Sequence, residues 1–231
     1  MYKKIYDTDK IRNKEYCVTK YIQKYYKNEN ICLDLGCGSC RKILDISKKV
    51  QYYYAIDSDF NRIIEAKNNI KEINNIKLGV ADNFYLPFAD NKFDLVSCFM
   101  SKYNIAETSR VLKKGGIFII ETLGANDKRD IKKKFGKDEI GWRGRLLYDS
   151  TNRQLERISM SLSPFFNIKK FYCKVFKTSI KSDDLLELFE MTNEIRLFDK
   201  KKDKYILDEL EDENGYISFN EERLIIICEK I

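Results

Sequence analysis

The stretch Leu33-Asp34-Leu35-Gly36-Cys37-Gly38-Ser39-Cys40 carries the densest chemistry in the chain. An acid closes a short apolar run, and two glycines follow with one residue between them. Glycine permits a tight turn and lets a ligand approach the backbone closely. A helix starting just beyond would aim its first amides at the same space. The segment is not GxGxxG, because position 41 is Arg, and it lacks the GK[ST] ending of a P-loop. A second acid, Asp57, closes another apolar run. A carboxylate there suits a ribose, since it can accept two hydrogen bonds from a diol. A third group, Asp82-Asn83-Phe84, offers an acceptor for an exocyclic amine and a ring, Phe84 (or Leu86 nearby), for a purine face. Together these groups describe a site for an adenosine-bearing ligand, while the pyrophosphate of a dinucleotide is poorly served.

The sequence contains 0 histidines. That excludes Ser-His-Asp and Cys-His nucleophilic catalysis, and zinc sites of the HExxH kind. Any general base must be Asp, Glu, Tyr, Lys, Cys or water. Tyr16, Tyr21, Lys102, Tyr103, Glu107 and Glu121 are polar candidates, and none is placed specifically enough to be named the base. Glu107 reads equally well as a helix brace, and Tyr21 as a packing residue. The 7 cysteines are odd in number, and nothing marks the chain for export, so reduced thiols are expected. Cys32, Cys37 and Cys40 are too few for a local metal site, and no metal is expected.

The elements that must position these residues follow from periodicity. Residues 14–28 predict a helix, with Val18, Ile22 and Tyr25 on one face and Tyr21 beside them. Residues 31–35 predict a strand, and 41–49 a helix with Ile43, Leu44 and Ile46 inward. Strand 52–56, a helix from Asp59 to Ile73, and strands 76–80 and 93–99 follow. A helix over 105–112, a turn at Lys113-Lys114-Gly115-Gly116 and strand 117–121 come next. Beyond that, helices are expected over 127–137, 151–162 and 183–191, and strands over 168–176 and 223–231. Residues 199–215 read as a polar loop with a loose helical piece. Alternating strands and helices imply a parallel sheet with right-handed crossovers, whose ligands sit beyond the carboxyl ends of the strands. Gly36, Asp57, Asp82 and Cys98 lie at or just beyond four such ends.

At this point the chain resembles a class I S-adenosylmethionine-dependent methyltransferase of the small-molecule type. LDLGCGSC resembles the family's first motif, with Cys40 where glycine is usual, and YYAIDSD resembles the second. ADNFYLPFADNKFDLV resembles the third, and ETSRVLKKGGIFIIE the helix, turn and fifth strand after it. The resemblance covers residues 31–121. It implies a Rossmann-like α/β three-layer fold around a mostly parallel seven-stranded sheet, and S-adenosyl-L-methionine as cofactor. It implies that Gly36, Cys37 and Gly38 line the amino-acid part and that Asp34 orients the ammonium. Asp57 would bind the ribose and Ser58 lie beside the adenine. Asp82, Asn83 and Phe84 would meet the adenine, and Cys98 and Phe99 would lie near the methyl group. The segment between Asp94 and Glu107 is shorter than the common pattern. No NPPY or DPPY follows strand four, which argues against adenine amino-methylation.

The length of 231 residues, 43% hydrophobic and 34% charged, can bury a core. The expected organisation is a cofactor-binding α/β core over 1–125 and an acceptor-side insertion or cap with completion of the sheet over 126–231. No apolar run is long enough to span a membrane, and the first residues do not resemble a signal peptide, so a cytoplasmic protein is expected. Residues 126–182 carry 15 Lys or Arg against 6 Asp or Glu, and residues 183–231 carry 7 against 15. The basic middle either faces nucleic acid or is matched by the acidic tail. Trp142-Arg143-Gly144-Arg145 reads as a loop that grips a phosphate or carboxylate, or as a surface loop anchored by its Trp. The expected function is methyl transfer to oxygen or nitrogen of a small molecule, mainly by positioning. An RNA-base methyltransferase and a noncatalytic cofactor-binding or scaffolding protein are the alternatives.

Overall fold

The computed structural model describes residues 16–231. Its main sheet has seven strands: β1 (Ile31–Leu35), β2 (Tyr52–Asp57), β3 (Ile76–Val80), β4 (Phe93–Phe99), β5 (Leu112–Leu123), β8 (Phe166–Lys181) and β9 (Tyr216–Lys230). Their order is β3-β2-β1-β4-β5-β9-β8. The strands β1 to β5 pair in parallel. A separate antiparallel ribbon joins β6 (Lys137–Asp138) to β7 (Gly141–Trp142). The helices are α1 (Thr19–Ile22), α2 (Leu44–Ser47), α3 (Phe60–Asn69), α4 (Ile105–Val111), α5 (Arg129–Lys134), α6 (Thr151–Leu162), α7 (Ser182–Met191) and α8 (Lys200–Asp208). The seven-stranded α/β fold agrees with the expectation.

Packing divides the chain into two units. Among the described residues, one comprises Val18–Thr122, Arg157–Tyr172 and Leu224–Ile231, the other residues 16–17, Leu123–Glu156 and Cys173–Arg223. In the first unit the strands are apolar on both faces, as covered parallel strands must be. Cys32, Leu33, Leu35, Ala55, Leu95, Val96, Phe118 and Ile119 are buried, and so is the run Leu224 to Cys228. Helix α3 begins at Asp59, whose carboxylate accepts the Asn61 N–H, and α4 begins at Asn104, which accepts from Ala106 and Glu107.

The second unit has its own apolar core. It gathers Ile131, Phe135, Ile180, Leu185, Leu186, Phe189, Ile195, Ile206, Leu207, Ile217 and Phe219. Beside it lies a buried charge cluster. Lys128 pairs with Asp127 at 2.7 Å and with Glu194 at 3.2 Å, and Lys132 meets Glu194 at 3.1 Å. Arg143 grips Asp203 with two nitrogens, at 2.9 and 2.7 Å. Three cations of the basic middle, Lys128, Lys132 and Arg143, thus find counter-charges in the acidic tail. Arg143, read as a candidate anion clamp, is engaged in this way.

Several elements differ from expectation. The first helix is a single turn followed by a 3-10 turn over Gln23–Tyr25; residues 14 and 15 lie outside the described residues. The helical segment ends at Tyr25 and Tyr26 turns to extended backbone (φ −91°, ψ 125°), with Tyr26 buried and Tyr25 only partly so. Lys113 to Gly116 lie inside β5, where a register shift opposite Phe93 and Leu95, with Gly115 at φ +72°, absorbs the irregularity. The polar stretch 199–215 contains a capped helix, α8, started by Asp199.

Candidate functional site

The ends of β1 and β2 are bonded to each other through the glycine turn. Cys37 N–H donates to the Ile56 carbonyl at 2.8 Å, and Gly38 N–H donates to Asp57 Oδ2 at 2.9 Å. Asp57 Oδ1 accepts from Asp59 N–H at 2.9 Å, which aims the carboxylate. Gly36 and Gly38 have φ of +69° and +53°. A Cβ on Gly36 would lie 2.1 Å from Ser101 Oγ, whereas a Cβ on Gly38 would meet nothing within 4 Å. One glycine is required by a close approach, and the other leaves open space beside Asp57. Cys40 also has a positive φ, +63°, with its side chain buried. The left-handed conformation explains why glycine suits this position.

The ends of β3 and β4 meet next to Gly36. Asn83 Nδ2 donates to the Lys102 carbonyl at 2.9 Å and to Ser101 Oγ at 3.2 Å. Its Oδ1 is buried and has no hydrogen-bond partner. Asp82 accepts from Phe84 N–H at 2.9 Å, shaping the loop, and Asp82, Ser58 and Phe84 are exposed. Cys98 is buried and its thiol donates to the Ser101 carbonyl; Phe99 is buried too. Gly36, Cys37, Gly38, Asp57 and Asn83 are therefore joined by short contacts through Ser101 and Ile56. Among the described residues, no hydrogen bond links Ser58 or Asp82 to the glycine turn.

Asp34 lies under this turn and is 3% exposed. Parallel register sets it opposite Ser97 of β4, and Ser97 Oγ donates to Asp34 Oδ1 at 2.7 Å. Burial pushes the Asp34 carboxyl up to about 7, with Ser97 and the Lys42 ammonium pulling the other way. Phe99 of β4 stands opposite Glu121 of β5. Glu121 is buried and pairs with Lys42, whose ammonium lies 5.6 Å from the Phe99 ring centroid.

Lys42, Ser97 and Ser101 were not singled out by sequence reasoning. Ser97 is set beside Asp34 by cross-strand register; Lys42 falls within the helix expected over 41–49, whose observed span is Leu44–Ser47, and Ser101 lies in an irregular segment after β4. Of the candidate bases, Glu107 braces the loop before β4. It accepts Leu86 N–H at 2.9 Å and pairs with Arg110 at 2.7 Å, which lowers its carboxyl to about 2. Tyr103 packs edge-on against Phe118 at 5.0 Å, and burial raises its hydroxyl. Tyr21 packs against Tyr172 at 5.2 Å.

Residues 33–120 match the family model described as a methyltransferase domain. The chain is 31% identical over 103 residues to a demethylmenaquinone methyltransferase of Staphylococcus saprophyticus, covering 40% of this chain and 44% of the relative. It is 29% identical over 121 residues to a protein of Methanococcus maripaludis described as a probable cobalt-precorrin-6B C(15)-methyltransferase, covering 49% and 63%. The chain thus spans about half the length of the curated relatives it matches. Among solved structures it is similar to a candidate methyltransferase of Bacillus halodurans, with TM-score 0.67, 16% identity, and coverage of 92% of this chain and 97% of the other. Residues 33–120 are a methyltransferase domain, set in the class I methyltransferase fold.

Proposed function

We propose that the chain is an S-adenosylmethionine-dependent methyltransferase acting on a small-molecule acceptor. The observation that carries this reading is the bond from Gly38 N–H to Asp57 Oδ2, which unites the glycine turn with the ribose-type acid. The residues fit the cofactor. Asp34 is a buried carboxylate whose Oδ2 has no hydrogen bond among the described residues, so it can accept from an ammonium. The space beside Gly38 is open, and Asp57 retains lone pairs for a diol beyond the two amides it accepts. Asn83 Oδ1 is a buried acceptor without a donor.

S-adenosylmethionine, when bound, supplies a methyl group already activated on a sulfonium sulfur. The chain's residues then have four tasks. Gly36, Cys37 and Gly38 admit the amino-acid part, and Asp34 holds its ammonium. Asp57 holds the ribose, with Ser58 beside the adenine. Asp82, Asn83 and Phe84 flank the adenine. Cys98 and Phe99 form an apolar wall near the reacting methyl, where an acceptor oxygen or nitrogen is oriented in line. Catalysis by orientation and electrostatics needs no histidine.

The small-molecule class is supported by what the two relatives are named for, a quinone and a corrin precursor. It is also supported by the engagement of Lys128, Lys132 and Arg143 with acids of the same unit, which removes them from nucleic-acid contact. The test is calorimetric titration with S-adenosylhomocysteine, followed by transfer of a labelled methyl group from S-adenosylmethionine to a panel of quinone, phenol, amine and tetrapyrrole acceptors. Binding without transfer to any acceptor or to RNA would favour a noncatalytic role. Absence of binding would sink the assignment.

A further inference from the structure

Beneath the glycine turn, four side chains from four segments form a continuous buried chain of hydrogen bonds. Tyr26 OH lies 3.2 Å from Tyr53 OH, Tyr53 OH lies 2.8 Å from Ser97 Oγ, and Ser97 Oγ lies 2.7 Å from Asp34 Oδ1. All four are nearly inaccessible: Tyr26 is 5% exposed, Tyr53 and Ser97 0% and Asp34 3%. Three buried hydroxyls, two of them on strands of a parallel sheet, are not needed for packing, since each removes apolar area and must be satisfied.

With Asp34 ionised, proton counting fixes the direction of this chain. An ionised carboxylate only accepts, so the single Ser97 hydroxyl proton points at Asp34. The Leu33 carbonyl, 3.3 Å away, is the weaker competitor for it. Ser97 then has only lone pairs to offer Tyr53, so Tyr53 donates to Ser97, and Tyr26 in turn donates to Tyr53. Burial raises both phenols, so both remain neutral donors. Ordered donors of this kind polarise one another along the chain.

We propose that Tyr26, Tyr53 and Ser97 are positioning residues, a one-way donor relay that holds Asp34 as an oriented carboxylate for the cofactor's ammonium. The proposal rests on the methyltransferase reading and deepens it. The relay occupies Oδ1 and leaves Oδ2 for the ligand. It also offsets what opposes ionisation: burial, and the like charges of Asp57 and Glu121. Lys42 is the cation that assists from the other side, while Cys32, opposite Tyr53 on β1, and Cys98 are buried thiols that stay neutral.

The test compares two ligands on the parent chain and on Ser97→Ala, Tyr53→Phe and Tyr26→Phe. S-adenosylhomocysteine carries the ammonium, and 5′-methylthioadenosine lacks the whole amino-acid part. Calorimetry between pH 5.5 and 8.5 is expected to show weaker S-adenosylhomocysteine binding in the order Ser97→Ala, Tyr53→Phe, Tyr26→Phe. The largest loss is about tenfold, the size of one charge-assisted hydrogen bond. The midpoint of its pH dependence moves upward, and methylthioadenosine affinity stays level. Equal loss for both ligands means that the hydroxyls only support the fold and overturns the proposal. So does unchanged S-adenosylhomocysteine binding in all three variants. If the parent binds neither ligand, the cofactor reading itself fails and takes the relay with it.

Discussion

Gly38 and Asp57 stand 19 residues apart in sequence and are joined by a backbone-to-carboxylate bond of 2.9 Å. The bond gives Asp57 two separate jobs. It closes the glycine turn onto the end of β2, and it holds the carboxylate beside the open face of Gly38. Asp57→Asn keeps the size and one acceptor oxygen but removes the charge. Its affinity for S-adenosylhomocysteine is expected to fall about 10- to 100-fold, the range of a charged hydrogen bond. Asp57→Ala is expected to fall further. Calorimetric titration of both variants checks this, and parent-like affinity in Asp57→Ala would remove Asp57 from the site.

If Asp34 holds the cofactor's ammonium as proposed, cofactor binding depends on pH. Its carboxyl is raised from the ordinary value near 4 to about 7 by burial, so the fold favours the neutral form. The contribution of that neutral form to stability is complete below pH 4 and is lost as pH rises through about 7. An upper bound is on the order of 4 kcal/mol. An ammonium ligand prefers the carboxylate, so binding below pH 7 expels a proton, and affinity falls as pH drops from 7 to 5. Titration at pH 6 in two buffers of different ionisation enthalpy measures the proton released. A count near zero would mean that Asp34 does not meet the ammonium.

Gly36 is packed against Ser101. An added Cβ would stand 2.1 Å from Ser101 Oγ, at a φ of +69°. Gly36→Ala is therefore expected to lose about 2 to 3 kcal/mol in chemical denaturation, from steric conflict and the left-handed backbone together. Ser101→Gly in the same chain relieves the steric part alone, so the double variant should recover about half. Full additivity of the two losses would mean that Ser101 is not the neighbour that confines this turn.

The α/β core was legible because its signals are periodic. Strands 76–80 and 93–99 have the expected bounds, as does the helix 151–162. The placing of Asp34, Gly36 and Asp57 at neighbouring strand ends was legible because a parallel sheet must present its loops at one edge. What escaped depends on pairing across strands. Ser97 matters because register sets it beside Asp34, and no property of Ser97 alone announces that. Lys42 reaches Glu121 across 79 residues of sequence, a pairing that no local periodicity announces. Tyr26 replaced Tyr25 as the buried ring because the helical segment stops at Tyr25 and the chain turns extended, an end point that local propensity does not decide.

Cys40 occupies a left-handed position at φ +63° and buries its side chain. Cys40→Gly would relieve about 1 kcal/mol of backbone strain while removing a buried thiol of similar worth. Its unfolding free energy is expected to stay within about 1 kcal/mol of the parent. Cys40→Val adds β-branching to the same backbone and should lose about 2 kcal/mol or more. Urea denaturation of both variants checks the pair. If Cys40→Val matches the parent, the turn is not held at positive φ.

Lys42 and Glu121 link the glycine turn to the end of β5. Glu121 is 2% exposed, and the ammonium of Lys42 sits on its carboxylate. Lys42→Met deprives a buried carboxylate of this cation. The loss is expected to be about 2 kcal/mol, reduced from the value for fully buried pairs because Lys42 is itself 31% exposed. The double variant Lys42→Met with Glu121→Gln removes charge and counter-charge together and should regain most of it. The same ammonium also favours ionisation of Asp34. Lys42→Met should therefore move the pH midpoint of S-adenosylhomocysteine binding upward, opposite to the direction expected of Glu121→Gln alone, which takes away a like charge. A pH series on the two single variants separates these shifts. Movement in the same direction would show that Lys42 and Glu121 act on the site through the fold and not through their charges.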